Sequence, residues 1–367
     1  MHEDRPSTAP DFLLSRATGS VRTQGARDTF SSAEAAVDAL RRGEAEMVVG
    51  AIPFDSDTPA ALTVPESIIR EDGPLEPHAF YHNQTLNSRV VGFDPEPEEH
   101  LRRVEAAIGT IETSKLEKVV LARAVDIEFA SPIDPRRVAA RLIDLSVNRD
   151  GFIADLSPAG RPGAMLVGSS PEVLIKRQGS TVSAFPLAGS TPRRANKAAD
   201  HIASQDLLHS AKDLLEHSFV VEHLRRVLEP LCSSLNIPDT PQLIHTNEMW
   251  HLGTPVTGTL RDKDLTALEL AEVVHPTPAI CGTPTEAAQA LIETAETDRG
   301  FYAGTVGWCD SSGDGEYMVA IRCAEVAGDG LSARAWAGGG VVGASNAQAE
   351  LEETTAKLQT ILRALSL

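Results

Sequence analysis

Apolar residues recur at steps of three and four through Leu101, Val104, Ile108 and Ile111, which predicts a helix from near Pro97 to about Thr113. Leu351, Leu358, Leu362 and Leu365 fall on one stripe and predict a C-terminal helix from Ala347 to Leu365. The stretch from Asp200 to Glu229 has the same period, as one long helix or two broken ones, and stops at Pro230. Ala33 to Arg42 carries alanines and leucine at helical spacing. Other apolar runs are short and rich in branched residues, which predicts strands. These are Thr18 to Arg22, Met47 to Phe54, Ala60 to Val64, Val119 to Phe129, Met165 to Gly168, Glu172 to Lys176, Gly304 to Trp308, Tyr317 to Val326 and Leu331 to Ala337. Strand-rich parts with interspersed helices favour an α+β architecture over strict βαβ alternation.

The length of 367 residues permits one large domain or two. Lys and Arg number 33 against 52 Asp and Glu, a formal charge of −19, and no basic cluster exceeds a pair of arginines. Nucleic acid is thereby excluded as a main partner. Cys232, Cys281, Cys309 and Cys323 are far apart and form no Cys-x-x-Cys pair, which reads as buried reduced thiols. No apolar stretch is long enough for a membrane span, and Met1 to Pro6 contains no apolar leader. A cytoplasmic protein without a membrane partner is expected.

Gly338-Gly-Gly-Val-Val-Gly343 matches a dinucleotide fingerprint in form, but no second βα unit follows it before Leu367. It reads instead as a tight strand-to-helix turn, or as backbone that a ligand approaches closely. Glu350, Glu353 and Lys357 share one face of the C-terminal helix. Read alone, that face is first a solvated one with a Glu353–Lys357 pair, though two carboxylates one turn apart are also what a hard cation such as Mg2+ requires. Glu216 stands mid-helix, where a surface position is the simpler reading. His217 and His223 lack zinc spacing.

Nine blocks in order carry a resemblance. They are Lys118-Val-Val-Leu-Ala-Arg123, Ser169-Ser-Pro-Glu172, Phe185-Pro-Leu-Ala-Gly-Ser190, Glu216-His217, His275-Pro-Thr-Pro-Ala-Ile-Cys-Gly282, Gly304-Thr-Val-Gly-Trp308, Ile321-Arg-Cys323, Ala337-Gly-Gly-Gly340 and Glu350-Leu-Glu-Glu-Thr-Thr-Ala-Lys357. Together they resemble the chorismate-utilising enzymes over residues 98–362, while residues 1–95 match poorly. The resemblance implies a single domain over residues 1–367, α+β, with two packed β-sheets, helices outside, and an active-site cleft between the sheets. Within the family the blocks look most like members that convert chorismate to isochorismate.

By that resemblance Lys118 is the base and Glu172 the general acid. Glu216, Glu353 and Glu350 match positions that bind Mg2+. Arg322 and Lys357 match residues that face the substrate. Gly338 and Gly340 would offer N–H groups to the enolpyruvyl carboxylate, and Gly189 and Ser190 to the ring carboxylate. His251, Ala279 and Gly282 fall in matching cleft segments. Read without the family, Lys118 is a strand-edge lysine, Glu172 a surface glutamate at a strand start, and Arg322 an ion-paired core arginine. Aminating relatives usually carry Thr where Ala279 stands, so no amidotransferase subunit is expected, and a monomer is. Members that go on to expel pyruvate and yield salicylate are the nearest alternative; an anthranilate-forming enzyme or a silent binding protein is further off.

Overall fold

The computed structural model describes residues 6–82 and 86–367; the polar segment Met1 to Arg5 lies outside the described residues. Two large antiparallel sheets dominate. The ten-stranded sheet runs Gly282–Thr283, Lys118–Phe129, Ser332–Val342, Cys323–Val326, Met165–Gly168, Gly151–Asp155, Phe12–Arg16, Gly19–Gln24 and Ser67–Glu71, with Ser88–Asp94 also paired to Lys118–Phe129. The nine-stranded sheet centres on Val173–Gln178, Gly315–Val319, Thr305–Asp310 and Met47–Ile52. The first 95 residues therefore supply strands to both sheets. A third sheet of three strands, Leu187–Pro192, Met249–Gly253 and Gln242–His245, was not anticipated from the sequence.

One cluster of buried side chains joins the large sheets, with Ala122, Phe152 and Leu166 from the first and Val48, Leu174 and Met318 from the second. A second cluster lies under the helices Pro135–Leu145 and Ala347–Ala364, where Val138, Leu142, Leu358 and Ile361 pack on Val125, Ile127 and Val167. Burial of these aliphatic side chains, about 1.5–3 kcal/mol each, fixes which strand face turns inward. The four cysteines are free and buried. Among the described residues no helix is long and apolar enough to cross a membrane.

One open alternative and two departures from the sequence reading bear on function. Of the two forms open to the 200–229 stretch, the structure has the broken one, with helices Lys197–His209 and Ala211–Leu228 parted at Ser210. The Ser210 side chain caps the second helix by accepting from the Asp213 N–H, and this sets the register of Glu216. The Tyr317 to Val326 run is not one strand. It leaves the nine-stranded sheet after Val319, crosses over, and joins the ten-stranded sheet at Cys323. Arg322 sits in that crossover with φ +53°, a left-handed conformation held by the strands on either side. The glycine run is not a turn either: Gly338–Gly340 lies within the strand Ser332–Val342.

Candidate active site

A cleft enclosing about 640 Å³ of empty space, its open mouth included, collects most of the residues singled out from sequence. Glu172, Gly189, Ser190, Glu216, His251, Ala279, Arg322, Gly338, Gly340, Glu353 and Lys357 all line it. One wall is the ten-stranded sheet, through Val120, Ala337, Gly338 and Gly340, and the three-stranded sheet contributes Leu187 to Ser190 and His251. The expected cleft between two sheets is thus bounded by a third sheet as well. The nine-stranded sheet adds the approaches to its strands, Pro171-Glu172 and the Ile321-Arg322 crossover.

Lys118 opens its strand and is fully buried, so the strand-edge reading does not hold. Strand alternation puts it on the same face as Val120, and its Nζ lies 3.1 Å from Glu216 Oε1. Gly340 makes room for that contact, since a Cβ there would stand 2.0 Å from Glu216 Oε1 and 3.0 Å from Lys118 Cε. Gly282 does not line the cleft. It pairs with Val119 at φ +153°, where a Cβ would meet the Lys118 carbonyl at 2.2 Å, so its part is to seat the Lys118 strand.

Glu172 is only 3% exposed, and its Oε1 accepts from the Leu187 N–H at 3.3 Å. Burial pushes its pKa up to about 7, outweighing that N–H and the positive charges of Lys118, Lys357 and Arg322. The carboxyl is therefore shared between its protonated and ionised forms near neutral pH. Arg322 is buried, and among the described residues it has no ion-pair partner; burial lowers its pKa. Its Nη1 has no hydrogen-bond partner, and its Nη2 lies 3.4 Å from His251 Nε2. Burial, then the Arg322 charge, holds His251 well below the usual imidazole range, so a neutral ring meets the guanidinium. An unpaired buried guanidinium in a cleft calls for an anion.

A register shift between Leu187 and Ser190, with Gly189 at φ +78°, turns Ser190 so that its hydroxyl donates to Glu353 Oε1 at 2.8 Å. Lys357 Nζ sits 2.5 Å from the same oxygen and donates to the Gly338 carbonyl at 3.0 Å. Burial raises Glu353, but the charges of Lys357 and Lys212 and these hydrogen bonds prevail, and its pKa falls. Val120 and Ala122 direct their N–H groups to Cys281 and Glu296, away from the glycine strand. Gly340 and Gly338, opposite them, are thus non-hydrogen-bonded pairs whose own polar groups point to the other side of their strand.

Glu350 lies behind the lining, 1% exposed, with Oε1 held by Lys212 Nζ at 2.7 Å and Ser345 Oγ at 2.8 Å. Burial and the Glu353 charge raise its pKa despite Lys212. As the side chains stand, each of the three glutamates is engaged by a lysine, and no metal-binding group of three or more His, Cys, Asp or Glu forms among the described residues. The residues nonetheless fit a hard divalent cation: every donor is a carboxylate oxygen, and Glu350 Oε2 is buried with no partner.

Tyr302 escaped the sequence reading. It is buried, lines the cleft, and stacks on Trp336 with ring centroids 5.8 Å apart. Its signal was an aromatic pair, Phe301-Tyr302, just ahead of the Gly304 block in a chain with three tyrosines. His217 supports the cleft from below: Nδ1 lies 3.1 Å from the Ala188 carbonyl, and the Thr254 hydroxyl 2.7 Å from Nε2.

A sequence profile of chorismate binding enzymes matches residues 63–366. The chain belongs to that family. Isochorismate synthase DhbC of Bacillus subtilis is 42% identical over 349 residues, covering 93% of this chain and 87% of that protein. A Mycobacterium tuberculosis protein provisionally named isochorismate synthase MenF is 44% identical over 364 residues, 97% of this chain and 96% of that one. The crystal structure of Bacillus anthracis DhbC, described provisionally as a 2,3-dihydroxybenzoate-specific isochorismate synthase, matches with a TM-score of 0.90. That match covers 100% of this chain and 98% of the other at 36% identity. The relationship thus extends into the N-terminal part, where the motif blocks had given out.

Proposed function

We propose that the chain is an isochorismate synthase that converts chorismate to isochorismate with Mg2+. The observation that carries this reading is a buried carboxyl, Glu172, in one cleft with an unpaired buried arginine, Arg322, while Lys118 lies buried behind the lining against Glu216. Lys118, in its uncharged form, takes a proton from water as the water oxygen bonds to ring carbon C2. The ring double bonds shift toward C4, and the C4 hydroxyl leaves with the proton of Glu172. One water enters and one departs, so the net reaction is an isomerisation. Arg322 and the Gly338 and Gly340 backbone would hold the enolpyruvyl carboxylate. Glu216, Glu353 and Glu350 would hold the Mg2+, which supplies Lewis-acid neutralisation of the ring carboxylate.

Ala279 offers the entering nucleophile a methyl group and no hydroxyl. That favours water over ammonia and supports an enzyme that works without an amidotransferase subunit. We read it as a cytoplasmic monomer. The test is product analysis: purified protein, chorismate and Mg2+ yield isochorismate, and ammonium salts yield no aminated product. Anthranilate, or salicylate with pyruvate, as the main product at neutral pH would overturn the reading.

A further inference from the structure

The outer edge of the Lys118–Phe129 strand is covered in two pieces. Gly282–Thr283 pairs with Lys118 and Val119, and Ser88–Asp94 pairs with residues 124 to 129. Between them, at Val120 to Arg123, no strand pairs with that edge among the described residues. The Val120 N–H donates to the Cys281 carbonyl at 2.7 Å, and side chains fill the rest of the gap. Arg299 Nη2 donates to the Val120 carbonyl at 2.7 Å, and Glu296 Oε1 accepts from the Ala122 N–H at 2.7 Å. The two side chains grip each other through Arg299 Nε to Glu296 Oε2 at 2.8 Å and Nη2 to Oε1 at 2.9 Å. Arg299 Nη1 donates to the Ile280 carbonyl at 2.8 Å, and the guanidinium lies 4.5 Å from the Phe54 ring centroid. Both partners are buried.

A buried ion pair is an expensive way to close a sheet edge, because two charges must be stripped of water, and apolar residues of like volume often do as well. What an apolar filler lacks is a fork that fixes two carbonyls at once. Those carbonyls belong to Val120, on the Lys118 strand, and Ile280, next to Ala279; Val120, Ile280 and Ala279 line the cleft. We propose that Arg299, oriented by Glu296, is a positioning residue that sets the spacing between the Lys118 strand and the Ala279 loop, and with it the approach of water to the ring. The proposal rests on the isochorismate synthase reading.

Arg299→Lys keeps the charge and gives up the fork. Turnover should fall about 10- to 100-fold, with KM for chorismate changed less, because a small misplacement of reacting groups costs rate before affinity. Glu296→Gln keeps an acceptor for Ala122 and should fall less, and it serves as the second variant if the first does not fold. Hydrogen exchange on the same proteins gives a readout independent of activity. Val120, Ala122 and the 279–283 segment should exchange faster in Glu296→Gln than in the unsubstituted protein, with the nine-stranded sheet unchanged. If the unsubstituted protein forms no isochorismate, the functional reading fails, and the exchange pattern still decides whether the pair sets the loop. Folded variants with turnover per molecule within twofold of the unsubstituted protein, or with unchanged exchange at Ala122 and 279–283, would overturn the proposal.

Discussion

Glu172→Gln separates the chemistry of the acid from its cost to the fold. The amide is near-isosteric but has no proton to give, so turnover should drop ~10²-fold or more. Burial raises the carboxyl from 4.5 to about 7, so ionising it in place costs about 3 kcal/mol more than in the unfolded chain. The folded state therefore binds the extra proton between those two values. The unsubstituted protein should lose up to about 3 kcal/mol of stability as pH rises from about 4.5 through about 7, and no more from this group above that. Glu172→Gln lacks this loss, so the stability difference between the two proteins should shift in favour of the variant across that window. Urea unfolding of both proteins at several pH values measures the difference, and kcat/KM of the unsubstituted enzyme should fall on the alkaline side of about pH 7. A stability difference that is flat with pH, together with near-normal turnover in the variant, would refute the assignment.

Lys118→Gln should lose ~10²-fold or more in turnover while retaining the fold, measured by chorismate conversion and thermal unfolding. Glu353→Gln should abolish Mg2+-dependent activity and weaken Mg2+ binding in calorimetry; full activity in excess chelator would contradict the cation site. Gly340→Ala places a methyl 2.0 Å from Glu216 Oε1, so activity should collapse through displacement of the Lys118–Glu216 pair. Ala279→Thr should slow hydration, seen as lower isochorismate formation with the fold unchanged.

How much of this was legible varies with the range of the interaction that decides it. The helices Ala33–Arg41, Pro97–Thr113 and Ala347–Ala364 follow local apolar spacing, and the sequence reading found each within two residues. Three others carried readable signals that apolar spacing alone passed over. Pro135 stands at the first turn of Pro135–Leu145 behind Asp134, Thr266 and Glu269 form a capping box on Ala267–Val274, and Pro284 leads Thr285–Ala295. Arg322 was found as a residue, but its setting was hidden. The apolar run from Tyr317 to Val326 looks continuous, and only pairing with two different sheets reveals the crossover. The third sheet was invisible for a similar reason, since Leu187–Pro192 is short and meets its partner near residue 250. Glu350 and Glu353 share a helix face that local reasoning could give to solvent. Only the packing of that helix on Ser332–Val342 and the reach of Lys212 make it an interior face. Tyr302 carries only the weak local mark of the Phe301-Tyr302 pair, and its stacking on Trp336 at the cleft is settled by packing distant in sequence.

The central claim is that water, activated at Lys118, enters at C2 while the C4 hydroxyl leaves from Glu172. It is tested most directly by running the purified protein with chorismate and Mg2+ in ¹⁸O-labelled water and locating the label by mass spectrometry and NMR. The account predicts isochorismate with one labelled oxygen, at the C2 hydroxyl, and no labelled product from Lys118→Gln above background. Isochorismate that retains the unlabelled C4 oxygen at C2, or no isochorismate at all, would contradict it.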